Sequence, residues 1–171
     1  MQSLGGVEKS RHQRQRRVAR RLVDETKRVV WHRVGPWLRQ HDPEFRPDGK
    51  ISIFNNNVYL TAYDDDGFTR LDVPRVTNIV AVDPASGAAE VVYGERPGQE
   101  LLSVVRGQHE LLDGGEILIT EFDAGRVLQV DAAGGTVWEY VNRFDDAHVG
   151  EISNSQLFMP GYFGAEMGRC G

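Results

Sequence analysis

The chain has 171 residues, 40% hydrophobic and 26% charged, with 19 glycines and a formal net charge of −5 at pH 7. No apolar run approaches the ~20 residues that a membrane-spanning helix needs, so we predict no integral membrane segment. Cys170 is the single cysteine, which excludes an internal disulfide and leaves no cysteine spacing typical of a metal site.

Positive charge is concentrated at the start of the chain. Residues 1–33 contain 10 of the 20 Lys and Arg but only 3 of the 25 Asp and Glu. Arginine-rich arms of this kind can bind nucleic acid or a membrane surface, but Lys9–Arg21 has no interleaved aromatic residues. We interpret residues 1–21 as a disordered or helical leader and predict no nucleic-acid partner. No apolar stretch follows these charges, so no secretion signal is visible.

Three later stretches share one pattern, in which an apolar run ends in Val-Asp and a polar turn leads to a second apolar run ending in an aromatic residue. The copies are Val23–Trp31, Val82–Tyr93 and Val130–Trp138. This pattern predicts a β-hairpin. The copies recur after roughly 50 to 60 residues, the length of a four-stranded propeller blade. We expect the terminal aromatic residues to contribute to blade packing rather than to form a substrate cage.

The repeat is longer than the hairpin, because Glu44–Ile53 aligns with Glu110–Ile119 at a constant offset. Both segments read as a strand, a Gly turn and a second strand with alternating β-branched residues. Each unit is therefore predicted to have four strands. The predicted strands are Gln40–Phe45, Ile51–Asn55, Asn78–Asp83 and Ala89–Gly94, then Gly107–Leu112, Glu116–Glu121, Arg126–Asp131 and Thr136–Val141.

Two complete units are flanked by incomplete ones. A hairpin around Leu22–Val34 precedes them and one opening strand around Glu151–Phe158 follows. Propellers close with about four to eight blades, each covered by neighbours. We predict an all-β fold over residues 22–163, a β-propeller fragment with two complete blades and parts of two flanking blades, and a tail at 164–171. The fragment is expected to be truncated, split or completed as a homo-oligomer; an open β-sandwich is the alternative.

The first candidate for chemistry is His41. It begins the predicted innermost strand, directly after the apolar and turn-forming segment Val34–Leu38. An imidazole in such a place can act as a nucleophile or general base near neutral pH. The alternative is a histidine whose ring only hydrogen-bonds across the turn.

The surrounding sequence resembles the arylsulfotransferase family. Gln40-His41 followed by Arg46–Asn57 is similar to that family's pattern of a His, a Pro-x-Gly turn, an apolar strand and Phe-Asp-Asn-Gly. The second unit is similar through Leu112–Ile119, Gly125–Asp131 and Val137–Tyr140. The resemblance extends over about residues 22–163.

This resemblance implies a six-bladed propeller that transfers a sulfuryl group from an aryl sulfate to a phenol without a nucleotide sulfate donor. Aryl sulfates and phenols are then the small-molecule partners, no cofactor or metal is expected, and an extracytoplasmic location is suggested. In the family a channel histidine carries the sulfuryl group transiently, which splits the transfer into two displacements. Basic and amide groups hold the sulfate oxygens, on which charge accumulates.

Two positions carry over by motif. His41 matches an active-site histidine of the family and is the predicted catalytic residue. Asn56 matches the Asn of Phe-Asp-Asn-Gly and is a predicted substrate-binding residue. Asn55 and Asn57 depart from the motif, because they replace its Asp and its Gly.

Family members carry a basic residue soon after this motif, but here an insertion, Val58–Leu71, intervenes. Arg70 and Arg75 are the next arginines, and we predict Arg75 as the substrate-binding cation. The run Asp64–Gly67 resembles a calcium loop, but it lacks alternating ligands and a later Glu. We interpret it as a solvated loop tip.

His109 is a second candidate for substrate binding in the channel. It aligns with Pro43, and strand alternation predicts that it shares a face with the position equivalent to His41. The alternative is a polar residue at a blade interface. His148 is predicted to lie in a loop rather than to act as a ligand.

Two other functions remain open. The Val-Asp-x-x-x-Gly-x-x-x-Trp phrase also resembles the tryptophan-docking repeat of quinoprotein dehydrogenases, although nothing indicates a quinone or calcium site. A propeller can also serve as a non-catalytic binding or assembly module.

Overall fold

The computed structural model describes residues 19–57, 59–63, 69–72, 76–159 and 161–162. These residues form an all-β fold with one short 3-10 turn at Asp113–Gly115. In the described residues no helix has the length and apolar character needed to cross a membrane. The strands are β1 (Ala19–Val23), β2 (Val29–Val34), β3 (Gln40–Phe45), β4 (Ile51–Asn55), β5 (Tyr59–Tyr63), β6 (Thr69–Asp72), β7 (Asn78–Val82), β8 (Ala89–Tyr93), β9 (Gln108–Leu111), β10 (Ile117–Glu121), β11 (Arg126–Val130) and β12 (Thr136–Val141).

Two four-stranded antiparallel sheets dominate the fold. The first sheet has the order β3-β4-β7-β8 and the second has the order β9-β10-β11-β12. All eight strands predicted for the two units are present, with ends within one residue of the prediction. Neither sheet closes on itself. The predicted N-terminal hairpin is also confirmed as β1-β2, but β1 begins at Ala19, inside the stretch predicted as leader.

The aspartate of each Val-Asp phrase explains why the hairpins form. Asp24 Oδ1 accepts the N–H groups of Thr26 and Arg28, both at 2.9 Å. Asp83 and Asp131 accept N–H groups two residues further along, at 2.8 and 2.9 Å. These Asx turns occupy backbone donors that the turn leaves unpaired. Hydrogen bonds from the side-chain hydroxyls of Thr26 and Ser86, and after them from these backbone N–H groups, lower the pKa values of Asp24 and Asp83.

The core consists of two apolar clusters that join successive sheets. The cluster between the first and second sheets contains Phe54, Ile79, Tyr93, Leu101, Ile117, Ile119, Leu128 and Val130. The cluster between the N-terminal hairpin and the first sheet contains Trp37, Ile51, Ile53, Val80 and Val82, with Trp31 and Val91 against it. Because side chains alternate along a strand, one of these clusters lies on each face of the first sheet. The first sheet is therefore covered on both faces.

The hairpin aromatics differ in how they pack. Tyr93 is buried and Trp31 is half-buried against the core, as predicted. Trp138 is 41% exposed, so it does not pack against the described residues as Tyr93 does. The register pairs Trp138 with Gln129, on the face of the second sheet that points away from the first.

The predicted strand at Glu151–Phe158 is wrong, because this segment does not form a strand. It runs beside the second sheet and makes single contacts: Ile152 N–H to Phe122 O at 3.4 Å, Ser155 Oγ to Thr120 Oγ1 at 2.5 Å and Leu157 N–H to Glu110 Oε2 at 3.2 Å. A strand requires a ladder of backbone pairs, and these contacts, two of which involve side chains, do not build one.

The insertion contains an element that the sequence analysis missed. Residues of Val58–Leu71 contribute to an additional hairpin, β5-β6. The predicted loop tip Asp64–Gly67 falls outside the described residues, and so do Arg75, Cys170 and most of the basic leader.

Candidate functional site

One end of the two sheets collects polar groups, and we call it the polar end. In the first sheet it contains the start of β3, the end of β4 and the start of β7. In the second sheet it contains the start of β9, the end of β10 and the start of β11. Its residues are Arg39–Asp42, Asn55–Asn57, Thr77, Asn78, Leu102–Gln108, Glu121–Asp123 and Arg126.

His41 lies at the polar end and is half-buried. It pairs with Phe54, whereas Pro43 pairs with the adjacent Ile53, so Asp42 is the extra residue of a β-bulge. Asp42 has a φ of +47°, a left-handed conformation that Asp and Asn adopt more readily than most residues. Because paired residues project to the same side, the bulge places His41 on the Phe54 face, toward the second sheet.

His109 lies in the gap between the sheets and is fully buried. Its Nε2 is 2.7 Å from Ser52 Oγ, and its backbone N–H donates to Asp42 Oδ2 at 2.7 Å. Its Nδ1 lies 3.4 Å from the same carboxylate oxygen.

The strand-alternation argument for His109 fails at the bulge. Pro43, the equivalent of His109, and His41 lie on opposite faces of the first sheet. His109 pairs with Ile119, whose side chain packs against the first sheet. His41 and His109 therefore border the same gap between the sheets from opposite sides. His109 lies at the interface of the two sheets, which is the position that the alternative interpretation predicted.

Asn56 is fully buried at the polar end. Its Nδ2 donates to Ser103 O at 2.6 Å and to Arg106 O at 2.7 Å. Thr77 Oγ1 accepts the Ser103 N–H at 2.9 Å. Asn56 Oδ1 is buried and has no hydrogen-bond partner among the described residues. The amide of Asn56 thus fastens the loop that enters the second sheet.

The two departures from the Phe-Asp-Asn-Gly motif have local reasons. Asn55 Oδ1 accepts the Leu38 N–H at 2.7 Å, while its Nδ2 donates to Asn78 Oδ1 at 2.8 Å. An aspartate could make the first bond but not the second, because a carboxylate has no donor. Asn57 has a φ of +54°, a conformation that Gly and Asn both tolerate.

The second sheet carries a charged pair where the first carries Asn55 and Asn78. Glu121 and Arg126 are directly opposite each other in the register and form an ion pair. Glu121 is 1% exposed, and its Oε1 accepts the Leu102 N–H at 2.8 Å. The Glu121 carboxylate therefore binds the backbone of the segment that leads into the second sheet. The side-chain amide of Asn55 binds the corresponding segment before the first sheet.

Two arginines of the polar end were missed by the sequence analysis. Arg106 is exposed, and its guanidinium lies 4.8 Å from the centre of the Phe122 ring. Arg39 has a φ of +51° and stands two residues before His41. The sequence could have indicated Arg106 by its position, because it aligns at the repeat offset with Gln40, the residue before His41. Of the predicted cations, Arg70 lies in β6, and Arg75 is not described.

The remaining candidates lie elsewhere. His148 is exposed in a loop, as predicted, with Nδ1 2.7 Å from Asp145 Oδ1. No group of three or more His, Cys, Asp or Glu within the described ranges could hold a metal ion. A groove of about 790 Å³ opens at the opposite end of the sheets, lined by residues that include Phe45, Leu112 and Glu116, so it does not adjoin His41.

The family model for "Arylsulfotransferase (ASST)" matches residues 15–143. The matched range includes all twelve strands, the polar end and each of the four predicted site residues. No curated protein sequence matches the chain.

Proposed function

The chain belongs to the arylsulfotransferase (ASST) family, and on this premise we propose that it transfers a sulfuryl group from an aryl sulfate to a phenolic acceptor, with His41 as the residue that carries the group. The supporting observation is the family match together with the position of His41 on a bulge at the polar end. Bulges occur often beside active sites, where they redirect a side chain.

The proposed reaction has two displacements. In the first, a ring nitrogen of His41 forms an N–S bond as the S–O bond to the donor phenolate breaks, and the other ring nitrogen gives its proton to that phenolate. In the second, the acceptor phenol forms a new S–O bond as the N–S bond breaks, and its proton returns to the ring. Cations near the sulfuryl oxygens stabilise the charge of both transition states.

The substrate-binding roles of Asn56, Arg75 and His109 stay predictions. The contacts of Asn56 and His109 favour a different role, because their polar groups hold the loop and the bulge around His41. Arg106 is the described arginine that we add as a candidate for the sulfuryl oxygens, since it lies exposed at the polar end.

We also propose that the two sheets are adjacent blades of a β-propeller, within a domain that starts with β1 at Ala19 and extends to residue 163, between a basic leader and a tail at 164–171. Their identical strand order and face-to-face packing support this. In a closed ring each blade face has a neighbour, and the exposed Trp138 and Tyr140 lie on the face that a following blade would cover.

The test is sulfuryl transfer from 4-nitrophenyl sulfate to phenol by the purified protein, including any flanking sequence that continues the repeats. We expect transfer to be lost in His41→Ala and kept in His148→Ala, which removes an exposed loop histidine. Rapid quenching at alkaline pH should show one added SO₃ group on the peptide containing His41. Full activity of His41→Ala would remove His41 from the mechanism.

A non-catalytic assembly module is the second candidate, favoured by the exposed aromatic residues Trp138 and Tyr140. It predicts no transfer with any aryl sulfate, together with concentration-dependent association that Trp138→Ser weakens.

A further inference from the structure

Three side chains, two of them fully buried and one half-buried, form a polar line between the two sheets. Ser52 of β4 and His109 of β9 are both fully buried, and Asp42 is the bulge residue of β3. The distances are 2.7 Å from Ser52 Oγ to His109 Nε2 and 3.4 Å from His109 Nδ1 to Asp42 Oδ2. Because Ser52 has no exposed surface, this line is not a nucleophile site in the described conformation.

Among the described residues His109 Nδ1 makes no hydrogen bond, and its 3.4 Å contact with Asp42 Oδ2 is electrostatic. The surroundings of the two ring nitrogens nevertheless favour one tautomer. A carboxylate only accepts hydrogen bonds, so the nitrogen facing Asp42 is the one that carries the proton. Nε2 is then the acceptor, and the Ser52 hydroxyl donates to it. The opposite tautomer would direct the Nδ1 lone pair at a carboxylate oxygen inside the sheet interface, where unfavourable electrostatics are weakly screened.

Asp42 connects this line to His41. Its carboxylate accepts the His109 N–H at 2.7 Å, while its own backbone forms the left-handed residue that separates His41 from Pro43. The bond to the second sheet holds the Asp42 carboxylate, and through it the backbone that sets the direction of the preceding side chain. We propose that His109 is a positioning residue: with Asp42 it fixes the bulge that presents His41. The chemical importance of this rests on the proposed function of His41.

Two replacements of His109 separate positioning from packing. Asn can place an amide donor near the position of Nδ1 and keep the contact with Asp42, whereas Gln reaches the position of Nε2 and keeps only the contact with Ser52. Asp42→Asn tolerates the left-handed conformation but removes the charge. Ser52→Ala removes the other end of the line.

The first test is the tautomer of His109 in the unmodified 171-residue chain, read from long-range ¹H–¹⁵N correlations of the imidazole rings. We expect the Nδ1–H form at neutral pH. An Nε2–H form would overturn the inference, because the ring would then direct a lone pair at Asp42, and only the backbone N–H of His109 would donate to it.

The second test follows the imidazole resonances of His41 in the variants. We expect them to move in His109→Gln and Asp42→Asn and to stay close to the wild type in His109→Asn and Ser52→Ala. Equal shifts in His109→Asn and His109→Gln would show simple packing and overturn the positioning role.

Where sulfuryl transfer is present, His109→Gln should lower kcat by about 10- to 100-fold with little change in KM, because small displacements of a reacting group have effects of this size. His109→Asn should restore most of it. An unchanged kcat in a folded His109→Gln would overturn positioning. The resonances of His41 are read without substrate, so a failure of the proposed reaction leaves the positioning test intact.

Discussion

Glu44 links the two sheets to each other, because its Oε2 accepts the backbone N–H of Leu111 at 3.1 Å. The equivalent glutamate of the second unit, Glu110, accepts the N–H of Leu157 at 3.2 Å. The glutamate in the first strand of each unit thus accepts a backbone N–H from the segment that follows that unit in the chain. The backbone N–H of Leu157 thus has the same kind of acceptor as that of Leu111, although the segment that contains Leu157 does not form a strand.

The link through Glu44 makes stability depend on pH. Burial raises the pKa of Glu44 above its ordinary value of 4.5, and attraction to the His109 ring when that ring is protonated opposes part of this rise. A carboxyl group whose pKa is raised by folding contributes its stability below that ordinary value and loses it as the pH rises through the folded pKa. Glu44→Gln should therefore be more stable than the wild type at pH 7, with the gain vanishing below about pH 4.5.

Urea unfolding across this pH range measures the effect. Glu95→Gln removes one negative charge at an exposed position and so is the control for the change in net charge of the chain. If Glu44→Gln and Glu95→Gln show the same dependence on pH, burial of Glu44 has no role in it.

Gly107 allows the close approach of Phe54 to the chain. Its φ is +128°, and an added Cβ would overlap the Phe54 ring. Gly107→Ala should cost about 2–5 kcal/mol in the free energy of unfolding, because overpacking and backbone strain add. Gly98 has a φ of +84° and open space around it, so Gly98→Ala reports the backbone contribution alone.

The double variant with Phe54→Leu and Gly107→Ala should be about 1–3 kcal/mol more stable than the sum of the two single-variant costs predicts. A double-mutant cycle of urea unfolding measures this difference. Strict additivity would show that the ring of Phe54 is not what limits this position.

The repeat predicted the two sheets from sequence, whereas the contacts within the site depend on features that periodicity does not encode. Strand alternation assumed a regular β3, but the left-handed Asp42 changes the face of His41. The hairpin β5-β6 was missed although Tyr59–Tyr63 contains residues that favour strands. Asn56 was recognised by motif, but its bonds to Ser103 and Arg106 join residues about 50 positions apart, which only the fold brings together.

Asn56 should be critical for the loop that carries Arg106. Asn56→Ala leaves the Ser103 and Arg106 carbonyls each without one of two donors, with an expected cost of about 1–3 kcal/mol. Amide exchange across residues 102–107 should rise in the same variant. Asn154→Ala, at an exposed position, should stay within about 0.5 kcal/mol of the wild type. Equal stability of the two variants would contradict this role.

The ion pair of Glu121 and Arg126 should contribute through its burial. Glu121→Ala leaves the Leu102 N–H without its acceptor and the partly buried Arg126 guanidinium without its nearest carboxylate, so we expect a loss of about 3–5 kcal/mol. The double variant Glu121→Asn with Arg126→Asn recreates the Asn55–Asn78 pair at the same register and should cost less than the sum of its single changes. Calorimetric and urea unfolding measure this. Lys50→Ala breaks the exposed Lys50–Glu90 pair as a control and should have a much smaller effect, because water screens exposed ion pairs. A cost for Glu121→Ala no larger than that of Lys50→Ala would mean that the loop into the second sheet is held by other contacts.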